Sequence, residues 1–218
     1  MYKTILTFSL ALLLTACATA RVRSVPQAVR AYKKVDFFQH HQKIAFKASG
    51  ELDANQLEGV LQIQKIGDED FDVLLLTSGA YRVLHATLTP DGIAYRYLFK
   101  ELDNSLVRGR INQLLYLLLT PPGTYERYKS TKDGVVVWYK NPHAKIKLTY
   151  PVSATGAETP ATHGAYPVTA HTVTALNTAV LRYGAYMPVT AEGDELVPHE
   201  LVYEDGGVVL TLELISLK

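Results

Sequence analysis

The 218-residue chain holds one cysteine, one tryptophan and two methionines, and these scarcities narrow its chemistry before any motif is read. A lone thiol forms no intrachain disulfide and no cysteine-built metal cage, so the fold depends on packing. Twenty-two Lys and Arg face 21 Asp and Glu, a net charge of +1. That balance supplies no overall field to draw nucleic acid and no excess charge to keep the chain unfolded. No apolar run reaches the ~18 residues that cross a bilayer as a helix. The Gly-x-Ser-x-Gly, His-Glu-x-x-His and Gly-rich phosphate-loop patterns are all missing. Neighbouring His40 and His41 send their rings to opposite sides of an extended segment. Asp68, Asp70 and Asp72 open like a calcium loop, but Val73 stands where glycine permits the bend and Gly79 where a bidentate glutamate closes the site. The expectation is a chain that is not an enzyme, with no cofactor, no metal and no nucleic-acid partner.

What is present begins at the N-terminus. Lys3 precedes an apolar stretch, Ile5 to Leu14, whose ten residues match the core of an export signal. The stretch ends in Leu14-Thr15-Ala16-Cys17, which resembles the processing site of bacterial lipoproteins. The resemblance implies that residues 1–16 are a signal peptide and that Cys17 becomes the acylated first residue of the mature protein. Two or more acyl chains give stable attachment where one gives only marginal binding. Ala18 occupies the position where aspartate marks inner-membrane retention, so the resemblance implies the periplasmic face of the bacterial outer membrane. Residues 17–36 then form a tether. It carries Arg21, Arg23, Arg30, Lys33 and Lys34, and Val25, Val29 and Tyr32 recur at helical spacing after Pro26. Two readings stand: a short amphipathic helix on anionic headgroups, or a solvated linker.

From residue 37 to 218 a single β-rich domain is expected. Alternation of period two marks strands at Lys43–Glu51, Leu57–Ile66, Asp70–Thr77, Tyr81–Thr89 and Gly92–Phe99, the last two joined by Pro90-Asp91-Gly92. The alternation places Ile93, Tyr95, Tyr97 and Phe99 on one face. Leu106–Leu119 changes to helical spacing through Val107, Ile111, Leu114, Leu115 and Leu118, with Asn104 or Ser105 as cap and Pro121-Pro122-Gly123 as stop. Arg108, Arg110, Asn112 and Gln113 give this leucine-rich helix one polar face. Strands resume at Tyr125–Lys129, Val135–Lys140 and Ala144–Tyr150. Ser153–Ala175, rich in Ala, Thr, Gly and Pro, reads as a long excursion with a brief strand at Val168–Val173. Thr178–Pro188, Leu196–Tyr203 and Val208–Leu217 complete the pattern, with Asp205-Gly206-Gly207 turning the final hairpin. Such a pattern describes a curved antiparallel sheet, or incomplete β-barrel, covered by one main α-helix.

The helix either fills the concave side or leaves an apolar hollow. Candidate walls of a hollow are Leu61, Ile63, Leu74, Leu76, Leu84, Tyr95, Tyr97, Phe99, Leu114, Leu118, Val137, Leu210 and Leu212. The strand order and single helix, with Phe71, Leu74-Leu75-Leu76-Thr77, Leu114–Pro122 and the closing Pro198, Leu201, Asp205-Gly206-Gly207, Leu210 and Leu212, resemble the outer-membrane lipoprotein receptor of the Lol pathway (LolB-like) and, more loosely, its periplasmic carrier relative. The resemblance implies an incomplete barrel whose cavity accepts acyl chains of a passing lipoprotein, with that carrier as partner, in lipoprotein localisation or lipid transfer. It also implies a membrane-facing side chain on the loop after the central strand, which here falls on Tyr81. The alternative is a docking lipoprotein with a filled core that binds peptidoglycan, a glycan or an outer-membrane complex.

Overall fold

The computed structural model describes residues 35–52, 55–120, 123–132, 134–141, 145–151, 166–167, 169–173, 178–188 and 196–218. The expected signal peptide, Cys17, the basic tether up to Lys34 and most of the Ala/Thr-rich stretch lie outside the described residues.

Fourteen strands follow the chain: β1 (Lys43–Leu52), β2 (Asn55–Lys65), β3 (Phe71–Thr77), β4 (Arg82–Thr89), β5 (Gly92–Leu98), β6 (Thr124–Thr131), β7 (Gly134–Lys140), β8 (Lys145–Pro151), β9 (Thr169–Val173), β10 (Thr178–Tyr183), β11 (Tyr186–Pro188), β12 (Leu196–Pro198), β13 (Glu200–Asp205) and β14 (Val208–Leu217). Twelve of them form one antiparallel sheet in the order β5-β4-β3-β2-β1-β14-β13-β10-β9-β8-β7-β6, while β11 and β12 pair separately. The sheet is mainly a meander. Its one long-range closure pairs β1 with β14, Ile44 opposite Leu217 through Leu52 opposite Val208. The sheet does not close into a barrel, and β5 and β6 are its two edges.

Those two edges are consecutive strands in the chain, and the helix α1 (Ser105–Leu119) is what connects them. A connection between opposite edges must cross one face of the sheet, and α1 crosses the concave one. Its N-cap is Asn104, whose side-chain oxygen accepts from the Val107 amide at 2.9 Å, satisfying one of the helix's orphan donors. Val107, Leu114, Leu115, Leu117, Leu118 and Leu119 are all buried. The second half of α1 is thus apolar nearly all round, as a helix enclosed by sheet must be.

Three expectations change in detail. Thr178–Pro188 and Leu196–Tyr203 each break in two, at Gly184–Ala185 and at His199, because the chain leaves the large sheet there to build the β11–β12 pair. Within β5 the alternation slips. Ala86 pairs with Tyr95 and His85 with Tyr97, so Arg96 is an extra residue and the face changes beyond it. The supposed polar face of α1 also divides, since Arg110 is buried against β13–β14.

Candidate functional site: a hollow at the end of the helix

The space beneath α1 is filled along one half and open along the other. Beneath Ile111, Leu114 and Leu115 a residual cavity of about 50 Å³ lies against Leu61, Leu84 and Leu210, so here the helix and sheet interdigitate. Beside Leu117, Leu118 and Leu119 a cavity of about 460 Å³ opens, within the usual ~300–1,000 Å³ of small-molecule sites.

Residues from one end of the sheet build this hollow. Leu117, Leu118 and Leu119 contribute the helix side; Phe71 and Leu88 come from β3 and β4, Ile146 and Leu148 from β8, Ala170 from β9 and Tyr183 from β10. Phe37 and Phe38 also line it. Phe37 meets Phe46 edge-on at 5.5 Å between ring centroids, and Phe38 lies 4.9 Å from Phe71. Asp36, Asp68, Glu69 and Lys65 also line the cavity and ring its mouth with three carboxylates and one ammonium. The Asp36 carboxylate accepts from the Phe38 amide at 3.0 Å, fixing the turn that seats both phenylalanines.

A tyrosine cluster buttresses one wall. Tyr186 donates to the Pro167 carbonyl at 2.6 Å, and Tyr166 accepts from the Leu196 amide at 3.2 Å with its ring 5.1 Å from that of Tyr186. Burial pushes the Tyr183 and Tyr186 phenols well above their ordinary range. They stay neutral there, as an apolar wall requires.

The other half of α1 is pinned by polar contacts. Arg110 donates to the Gly206 carbonyl at 2.7 Å, and Tyr203 donates to the Arg110 carbonyl at 2.9 Å and to Asp205 at 3.3 Å. On the facing side Tyr95 donates to Asn112 at 2.6 Å, with the Arg108 guanidinium 4.9 Å from its ring. Burial raises the Tyr95 phenol to about 12, opposed in part by Arg108. Arg108 also donates to Asp103 at 2.6 Å, which holds that carboxyl below the usual range.

Of the thirteen expected wall residues, Leu118 lines the large hollow. Leu61, Leu84, Leu114 and Leu210 surround the small one. Ile63, Val137 and Leu212 are buried core residues, and Tyr95 is half-buried beside the helix. Four positions require correction. Leu74 and Leu76 alternate with inward Val73 and Leu75 and lie on the outer face; the Val73–Leu76 run is apolar on both faces, so period alone assigns neither. Tyr97 and Phe99 are 40% and 45% exposed, because the β5 bulge turns Leu98 inward in their place. Tyr81 is 76% exposed on the β3–β4 turn, at the end opposite the hollow's mouth.

The residues that sequence reasoning missed, Phe37, Phe38, Phe71, Leu88, Ile146, Leu148, Ala170 and Tyr183, sit mainly on inward positions near one end of their strands. That signal becomes visible only once strand order shows which ends coincide.

An open antiparallel sheet wrapped round one buried helix, with a hollow beyond it, is the LolA/LolB-type fold. No protein-family model and no curated protein matches the sequence. Among solved structures, the chain is similar to a LolA superfamily protein from Nitrosomonas europaea, with a TM-score of 0.52 and 14% identity over 88% of this chain and 89% of that one. A "putative outer membrane lipoprotein-sorting protein domain" from Vibrio parahaemolyticus aligns with a TM-score of 0.42 and 8% identity over 81% of this chain and 84% of that one.

Proposed function

We propose that this protein is an outer-membrane lipoprotein, anchored through acylated Cys17 and facing the periplasm, that transiently holds acyl chains or a similar apolar ligand in the hollow beyond α1. The observation that carries the reading is the cavity of about 460 Å³ with phenylalanine, leucine and isoleucine walls. Each methylene moved from water into it contributes roughly 0.8 kcal/mol. Nothing in this scheme makes or breaks a bond. The polar contacts on Arg110, Asn112 and Tyr203 hold the first half of α1, so ligand entry is accommodated at Leu117–Thr120. Lipoprotein localisation or lipid transfer is the role that follows, with the acyl chains of a lipoprotein as cargo, a periplasmic carrier as partner and exposed Tyr81 as a candidate membrane-facing contact.

Native mass spectrometry of the full chain purified from lipid-replete cells tests this. Co-purified species with acyl masses, displaced by added fatty acyl ligand, are expected. A bare protein that also takes up no acyl ligand on addition would leave the docking-lipoprotein alternative.

A further inference from the structure

The outer face of strands β6 to β10 is strongly basic, and register shows how the charges are arranged. Arg127 lies opposite Trp138, Trp138 opposite Lys147, and Lys147 opposite His171, forming one continuous cross-strand row. The next row runs Lys129, Val136, Thr149, Thr169, Arg182, and Lys140 stands directly opposite Lys145 in a third. Among the described residues the bordering carboxylates are Glu126, which lines a shallow surface hollow with Lys140, Glu200 at the start of β13, and Glu204, which pairs with Arg182 at 3.0 Å. The Arg127 guanidinium sits 4.5 Å from the Trp138 ring.

Like charges placed directly across a strand pair destabilise a sheet, and Lys140 against Lys145 is such a pair. Lys147 beside His171 has the same effect once the imidazole is protonated; burial together with the nearby Lys147 and Arg182 charges keeps the His171 ring below its ordinary range. A sheet that sets like charges directly opposite one another breaks a local rule, and such departures concentrate where a partner relieves them.

We infer that this face is a docking surface for an anionic lipid bilayer, with lysine and arginine against the headgroups and Trp138 at the interface. The charge is spread over a broad sheet surface as lysine ammonium and arginine guanidinium groups. It therefore fits a fluid array of phosphates, which attracts each Lys or Arg held near it, and tryptophan favours the same boundary. The third row also adjoins the cavity mouth. Lys140 precedes Asn141, which lines the hollow. An acidic protein partner is the competing occupant.

Trp138 is the chain's single tryptophan, so its fluorescence reports on this face alone. The full chain is mixed with vesicles of phosphatidylcholine, and with vesicles in which phosphatidylglycerol replaces part of it, both carrying brominated acyl chains. Any anchoring through the N-terminus is common to both. The expected result is quenching and a blue shift of Trp138 only with phosphatidylglycerol, reversed by high salt and weakened at least fivefold in apparent affinity in the Lys145→Glu/Lys147→Glu variant. Equal emission in both vesicle types, or quenching that survives the double substitution and salt, would overturn the inference and leave the acidic-protein alternative. Neither outcome depends on ligand in the hollow, so the test fails or succeeds apart from the acyl-binding reading.

Discussion

Gly50 shows how tightly single positions constrain the sheet. It lies in β1 with φ at +153°, and a Cβ there would run into the Val209 carbonyl on β14. Gly50→Ala is therefore expected to destabilise by more than ~1 kcal/mol, read as a lower urea midpoint with unchanged m-value. The buried phenols make a second statement at this scale. Tyr95 binds its proton more tightly folded, at about 12, than unfolded near 10.0, and Tyr183, Tyr186 and Tyr203 shift in the same direction. The stability tied to these neutral phenols is complete below the unfolded value and is lost as pH rises towards the folded one. Denaturation midpoints should stay level approaching pH 10 and fall above it, with a shallower fall in Tyr95→Phe. A midpoint indifferent to pH in that window would contradict the burial of these side chains.

At the scale of elements, α1 has a packed half and a half beside vacant space, and substitutions should separate them. Leu115 is 1% exposed over the filled part, so Leu115→Ala opens a new cavity and should cost about 2–5 kcal/mol. Ala170 is as deeply buried but borders the large hollow. Ala170→Leu grows into empty volume and should leave the denaturation midpoint within about 1 kcal/mol of the parent, where overpacking a filled core costs about 1–3. Much of this element scale was legible beforehand. Strict alternation in β1, β2 and β7 located those strands to within a few residues, and helical spacing with an Asn cap located α1. What escaped reading was set by neighbours. Arg96 becomes an extra residue only through the pairing of β5 with β4, and that slip exchanges Tyr97 for Leu98 on the inner face. Arg110 reads as solvent-facing until β13 and β14 supply the Gly206 carbonyl as its partner.

At the scale of the whole molecule, strand order creates the function-bearing asymmetry. The edge strands β5 and β6 are joined by α1, so the helix must cross the concave face, and fifteen residues at ~1.5 Å rise each span only about 22 Å of it. Sheet beyond the helix end is left facing Phe37 and Phe38, with space between. This is why the hollow lies past Leu117 and not under Leu114, where leucine density alone points. Asp36, Asp68 and Glu69 line the hollow, and Lys140 on the basic outer face precedes Asn141 in its wall. One molecule thus presents an apolar interior, an opening and a charged side in fixed relation.

The most direct test of the central claim, that the hollow beyond α1 receives an acyl chain, is the equilibrium affinity of a fluorescent fatty acyl probe for the full chain and for Ala170→Leu. Saturable binding by the parent, weakened tenfold or more in a variant that unfolds at the same denaturant concentration, is the predicted result. Equal affinity in the two proteins would place the ligand elsewhere and contradict the account.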